Sequence, residues 1–469
     1  MDSSVNILWI DDEIDLLKPH ILFLEEKGYQ LFTATNADDA IEMVQKEKFG
    51  VILLDEQMPG INGLEALGEL KRLAPLTPVI MITKSEEENI MEEAIGSQID
   101  DYLIKPVNPK QILLSIKKNM ETNRLVSEKT ISNYQSEFQN ISQLISQASD
   151  FQDWKNIYQH LVYWELALEG KSENGMQEVL RMQKNDANHS FSKFILSNYQ
   201  GWFGEDENKP LLSPNLLRQK LFPILNQGQK VFFLLIDNLR YDHWLVIKPM
   251  INELFSIDEE ELYCSILPTA TQYSRNSIFA GLMPLEISDI YPDIWLDDED
   301  TGGKNLKEEA LLQNHLDRSG LNTPFFYEKI SHAKTGRKLI QNLSNLFEYN
   351  LSVLIFNYID MLSHAKTEME VIKELANSEA AYRSLTLSWF RHSPLYSLLQ
   401  ELANSDVKII LTTDHGSIQV QNPVKVKGDK TTSVNLRYKN GKNLSYQENQ
   451  VYATQNPKRI HLPQTHVSS

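Results

Sequence analysis

Short apolar runs and amphipathic stretches alternate along this chain in three blocks. In the first block the runs are VNILWI (5–10), VILLD (51–55), PVIMIT (78–83) and DYLIKP (101–106). Each is too short for a buried helix and is bounded by polar turn residues. Uninterrupted apolar runs of this kind mark strands of a parallel sheet covered on both faces. The amphipathic segments between them then form crossover helices, which gives a doubly wound parallel-sheet unit over 1–122.

The second block (123–226) reads as helix. Asn108 caps and Pro109 opens the last helix of the first unit, and neither Pro nor Gly occurs from Gln111 to Glu169. Ile131, Tyr134, Phe138, Ile141 and Ile145 recur at spacings of three and four, an apolar helix stripe. Ser149 with Gln152 forms a capping box for a second helix bearing Phe151, Trp154, Tyr158 and Leu161 and closed by Gly170. Met176, Val179, Met182, Phe191, Phe194 and Ile195 line a third. These stripes predict a central helical bundle. In the third block (227–469) buried strands resume at VFFLLI, ELYCSIL, VLIFNYI and VKIILTT, predicting a second α/β domain.

Composition narrows the function classes. A formal charge of −19 argues against a general nucleic-acid binder, which needs a basic footprint. No helix of the bundle is basic enough to read duplex DNA. The single cysteine, Cys264, excludes an internal disulfide and a cysteine-based zinc site, and its apolar surroundings make it a buried, inert thiol. With no signal segment and no apolar run approaching the ~18 residues that cross a bilayer, a cytoplasmic protein is expected.

The strand ends carry the chemistry. In the first unit they are Asp11-Asp12, Asp55, Thr83 and Lys105. Three carboxylates brought together repel and call for a cation, and hard oxygen ligands suit Mg²⁺. A carboxylate beside Mg²⁺ and a Lys ammonium can attack a phosphoryl group and hold it. WIDDE, LLDEQMPGINGLE, MITKSEE and DYLIKPVNP resemble the motifs of response-regulator receivers. The resemblance implies Asp55 as phospho-acceptor, with Asp11, Asp12, Asp55 and the carbonyl of Gln57 (or Glu56) at Mg²⁺. It also implies Thr83 and Lys105 as supports, Tyr102 as a rotating switch, a sensor histidine kinase as phosphoryl donor, and a homodimer on phosphorylation.

In the third block, strands end in Asp237, Asp360 and Asp414-His415. His364 follows Asp360 by four residues, and PTATQYSRNSIFAG leads into a helix. Asp and His without cysteine suit catalytic Zn²⁺, and two such ions can activate a threonine hydroxyl and neutralise a leaving oxygen. LLIDNLRYD, ILPTATQYSRNSIFAGLMP, NYIDMLSHA and TTDHGS resemble the PglZ domain of the alkaline phosphatase superfamily. That likeness implies Thr271, rather than Thr269, as nucleophile. It places Asp237, Thr271, Asp414 and His415 on one zinc, with Asp360 and His364 on the other. Receiver, linker and output together resemble the PorX-type response regulators associated with type IX secretion. The superfamily's further metal-binding His, from a late His-Gly motif, has no counterpart after His415-Gly416; His461 and His466 remain as substitutes. Either the domain continues past the residues given, or the second zinc has one ligand fewer.

Between Lys425 and Arg459 eight Lys or Arg face two acids, a local excess of six positive charges able to steer a nucleotide phosphate. The expected protein is therefore a response regulator whose phosphorylation controls a zinc-dependent phosphodiesterase acting on linear or cyclic nucleotides. The rival expectation is a phosphorylation-controlled scaffold that recruits a sigma factor or secretion component around a structural metal site.

Overall fold

The computed structural model describes residues 5–75, 77–84, 99–170, 175–204, 209–297, 303–420, 422–430, 432–433, 435–448 and 450–464, with no side chains described for 121–127. Internal contacts divide the chain into two compact units. One comprises Met1–Asn140 with Ala167–Val179, the other Ile141–Leu166 with Leu180–Ser469.

In the first unit β1 (Asn6–Ile10), β2 (Gln30–Ala34), β3 (Val51–Asp55), β4 (Val79–Thr83) and β5 (Asp101–Ile104) form one parallel sheet in the order β2-β1-β3-β4-β5. The four predicted runs are β1, β3, β4 and β5. Sequence reading missed β2 because QLFTA lies at the sheet edge with two exposed positions, so no continuous apolar run marks it. Chain order reverses beside β1 and β3, and a doubly wound sheet opens its crevice at that point. Asn62 and Glu65 cap the helix Gly63–Leu73 reciprocally. A Cβ on Gly63 would come within 2.2 Å of the Asp55 carbonyl oxygen, so only glycine lets this turn close against β3.

Asn108 accepts the Lys110 N–H at 2.9 Å and opens a 39-residue helix, Pro109–Gln147. The helix Phe151–Ala167 is capped one residue later than expected. Asp150, not Ser149, accepts the Asp153 N–H, and the Asp153 carboxylate turns back to the N–H groups of Ser149 and Asp150. Carboxylates make the stronger, charge-assisted cap. Gln152 instead reaches Asn156. In the second unit this helix packs against Met176–Asn198, with Trp154 on Phe191 and Phe194.

The second unit is built on a parallel sheet of β6 (Val231–Ile236), β7 (Phe325–Ile330), β8 (Leu351–Phe356) and β9 (Lys408–Thr412), ordered β7-β8-β6-β9. Side chains alternate along β6. Val231, Phe233 and Leu235 enter one apolar core, and Phe232, Leu234 and Ile236 the other. One expected strand is absent: ELYCSIL is irregular, touching β structure only through an isolated bridge from Cys264 to Leu212. It ends at Pro268, which lacks a ladder N–H, and Tyr263 donates to the carbonyls of Thr413 and Asp414 instead. Its place in the sheet belongs to β7, whose sequence FFYEKI hides an edge strand behind Glu328 and Lys329. Cys264 is partly buried rather than fully buried as expected, and burial pushes its thiol up to about 12.

One buried histidine makes the unit acid-sensitive. His243 is fully buried edge-on against Tyr382, with both ring nitrogens lacking hydrogen-bond partners. Burial therefore holds it neutral, its pKa lowered to about 3. The unfolded chain takes up this proton below about pH 6.5 and the fold does not, so stability falls as pH drops through that window by ~1.4 kcal/mol per unit. Replacing His243 with Phe should flatten the acid limb of stability against pH in urea titrations between pH 6 and 4. An unchanged slope would assign the acid loss to other groups.

Candidate functional site

In the first unit the crevice collects the expected residues. Asp11 and Asp55 are buried at the ends of β1 and β3, and Asp12 stands exposed beside them. Carboxylate oxygens of all three lie within 4.8 Å of one another. Lys105 Nζ donates to Asp11 Oδ2 at 2.8 Å and to Asp55 Oδ2 at 2.9 Å. Burial raises the Asp55 pKa, with the Lys105 hydrogen bond opposing it. For Lys105, burial works against the charge but the two carboxylates outweigh it and hold the ammonium. Thr83 donates to the Glu56 carboxylate and shares a hydrogen bond with the half-buried Tyr102. Gln57 follows β3 with its side chain exposed, so any ligand it offers is its backbone carbonyl.

In the second unit β6, β8 and β9 end side by side and deliver Asp237, Asp360 and Asp414-His415 to one crevice. Thr271 starts the helix Thr271–Ala280. Its Oγ1 lies 2.9 Å from His415 Nε2 and 3.4 Å from Asp237 Oδ1. Asp237, Asp360 and His415 each bring a ligand atom within 4.8 Å of the others. His415 Nδ1 lies 3.1 Å from the Gly416 carbonyl, to which it donates, and that tautomer turns the Nε2 lone pair towards Asp237. Oxygen and nitrogen acceptors thus converge around the Thr271 hydroxyl.

Arg275, four residues after Thr271 and buried, answers part of the charge. It donates to Asp237 Oδ2 and to Glu308 Oε1, each at 2.7 Å. Asp414 Oδ1 accepts the N–H groups of His415 and Asn238 at 3.0 and 3.3 Å. Its Oδ2 is buried without a hydrogen-bond partner, 3.8 Å from Arg275 Nη1. Burial, reinforced by the Asp414 charge, raises Asp237; burial raises Asp414 against the pull of Arg275, and lowers His415. The raised Asp237 and Asp414 mark buried carboxylates short of positive charge, His415 is favoured as a neutral lone-pair donor, and the donor set fits a divalent cation.

Residues 216–466, more than half of the chain, match the BREX system PglZ alkaline phosphatase-like domain. The chain belongs to the PglZ family. Residues 7–117 match the response regulator receiver domain and 124–203 the PorX response regulator linker domain, so the order is that of a PorX-type response regulator. Curated relatives align with the receiver portion. They include the transcriptional regulatory protein ResD of Bacillus subtilis, 32% identical over 115 residues (24% of this chain, 48% of ResD). The alginate biosynthesis transcriptional regulatory protein AlgB of Pseudomonas putida is 32% identical over 124 residues (26% of this chain, 28% of AlgB). The matched stretch spans half or less of each relative. A CheY-like receiver domain protein from Methanospirillum hungatei JF-1 is 29% identical, with 26% of this chain and 98% of that one aligned, at a TM-score of 0.25. No helix among the described residues is long and apolar enough to cross a membrane.

Within the PglZ domain the structure groups Asp237 with Asp360 and His415, whereas the likeness had divided these residues between two ions. His364 lies 3.5 Å from Asp360 but is 68% exposed. His461 packs on Phe203 through its ring (4.5 Å), outside this acceptor group; His466 lies outside the described residues. Sequence reading missed Arg275, Asn238, Glu308 and Arg437. Arg275 was within reach, because a residue four after Thr271 shares its helix face. Glu308 and Arg437 are remote in sequence and carry no local signal.

The receiver geometry yields a direct check. Acetyl phosphate with Mg²⁺ should label the protein, and Asp55→Ala should abolish the label. Lys105→Ala should keep the fold but lower label retention. Undiminished label on the Asp55 variant would move the acceptor elsewhere.

Proposed function

We propose that phosphorylation of Asp55, with Mg²⁺ at Asp11, Asp12 and the Gln57 carbonyl, controls a zinc-dependent phosphodiesterase in the PglZ domain, as part of type IX secretion control. The observation that carries this is the Thr271 hydroxyl, at a helix N-terminus, set 2.9 Å from His415 Nε2 beside the buried Asp237 and Asp414 and the partly buried Asp360.

Asp237, Asp360 and His415 would hold the first zinc. A second zinc would draw on Asp414 and on His364, which must swing inward from its exposed position beside Asp360. The metal, when bound, supplies positive charge to the phosphoryl oxygens. The rest falls to the chain. Arg275 fixes one oxygen of Asp237 and leaves the other facing Thr271. The Thr271 oxygen forms a bond to phosphorus as the bond to the leaving oxygen breaks, and water then cleaves the threonyl phosphate. The helix dipole and N–H groups at Thr271 favour the phosphoryl anion. Nucleotide phosphodiesters are the proposed substrates, supported by the basic stretch 425–459. In the receiver, phosphorylation shifts the Thr83–Tyr102 pair and the face near β5 and the helix that begins at Pro109, and like faces pair about a two-fold axis.

Thr271→Ala should remove nearly all hydrolysis of a chromogenic phosphodiester while zinc content stays near wild type, and Thr271→Ser should keep part of it. A fully active alanine variant would assign attack to another group. Monoesters should be poorer substrates than diesters; the reverse preference would count against this placement. Beryllofluoride should shift a monomer–dimer equilibrium by about 5- to 150-fold, the span of typical coupling energies. Sedimentation showing one unchanged mass across micromolar concentrations would leave control within a single chain.

A further inference from the structure

We propose that Arg437 is the residue that grips the substrate's phosphoryl group, and that Thr269, the first threonine of the PT-x-T sequence, is the post that holds it there. This rests on reading the PglZ site as a phosphoester-processing centre. Arg437 reaches the site from the segment that follows His415. Its Nη1 donates to the Thr269 carbonyl, lies 3.5 Å from Thr269 Oγ1, and comes within 3.2 Å of His415 Nδ1. Its backbone N–H donates to Asn435 Oδ1 at 2.8 Å, and the next residue, Tyr438, packs edge-on against Tyr273 two positions past the nucleophile. The arm is therefore anchored on the Thr271 helix itself.

The two arginines of this site differ in what they have left to offer. Arg275 is spent on Asp237 and Glu308. Among the described residues no carboxylate lies within ion-pair distance of Arg437, whose side chain is exposed; Asp360, Asp414 and Asp237 act on it only at longer range. The contact with His415 is also the one that yields. Nδ1 donates to the Gly416 carbonyl and cannot accept from Arg437 in the same tautomer. A guanidinium with uncommitted N–H groups, held two residues before the nucleophile, presents the planar fork that suits phosphate oxygens. It also offsets the repulsion that the carboxylates of Asp237, Asp360 and Asp414 exert on an arriving anion.

The test uses the full zinc-loaded chain and two readouts: calorimetric binding of inorganic phosphate, and hydrolysis of bis(p-nitrophenyl) phosphate. Arg437→Gln should weaken phosphate binding and raise KM by about 10- to 150-fold, the range for a lost hydrogen bond to a charged group. Zinc content and circular dichroism should match wild type, and Arg437→Lys should recover part of the loss by restoring charge without the fork. Wild-type phosphate affinity and KM in the glutamine variant would overturn the proposal, as would a wild-type protein that binds no phosphate. If wild type binds phosphate but cleaves no diester, the hydrolysis reading falls alone, and the phosphate affinities of the two variants still decide the role of Arg437.

Discussion

Buried carboxylates at the ends of parallel strands are the constraint around which both units are arranged. Desolvation penalises each charge, and like charges held within a few ångströms penalise one another. The receiver answers with Lys105, which bridges Asp11 and Asp55. The PglZ domain answers with Arg275, and less completely. One guanidinium serves Asp237 and Glu308 directly and Asp414 at 3.8 Å, while Asp360 leans on the neutral amide of Asn238. What the protein leaves uncompensated is the space a cation fits. The same shortage of positive charge makes an additional arginine near the nucleophile informative.

A second buried network steadies the loop after β6. Arg240 pairs with Asp242 and Glu379, and Arg383 bridges Asp242 to Glu165 on the helix Phe151–Ala167. Burial alone would raise Asp242, but Arg240 and Arg383 hold it well below the usual carboxylate range. Removing one partner from such a network strands a buried charge at a cost of ~3–5 kcal/mol. The loop that presents Asp237 and Asn238 is thus tied to the helical segment through ion pairs, and not only through the sheet.

Glu308 shows how far the site's support extends. It is fully buried, and Arg275, Lys329 and Tyr327 together keep it ionised below its ordinary range. Lys329 and Tyr327 come from β7, the strand whose polar residues disguised it. Lys329 interrupts the apolar pattern and, with Tyr327, holds the acid that holds Arg275. A local breach of strand patterning here marks support for the site.

The sequence by itself determined a good deal. The apolar runs of β1, β3, β4, β6 and β8 are continuous because these strands are covered on both faces, and the residues ending them were readable as chemistry for that reason. The helix stripes were readable because their spacing matches the turn of a helix. Edge strands were legible only in part: β5 and β9 keep a readable run, β2 and β7 carry polar positions that break it, and ELYCSIL has the run without forming a ladder. Only the tertiary structure decided that Asp360 joins Asp237 and His415, since β8 and β9 flank β6 and sequence order says nothing of that adjacency. It alone brought Glu308 and Arg437 to residues 33 and 168 positions away. Periodicity reports what each segment buries, whereas a site is made of what different segments bring together.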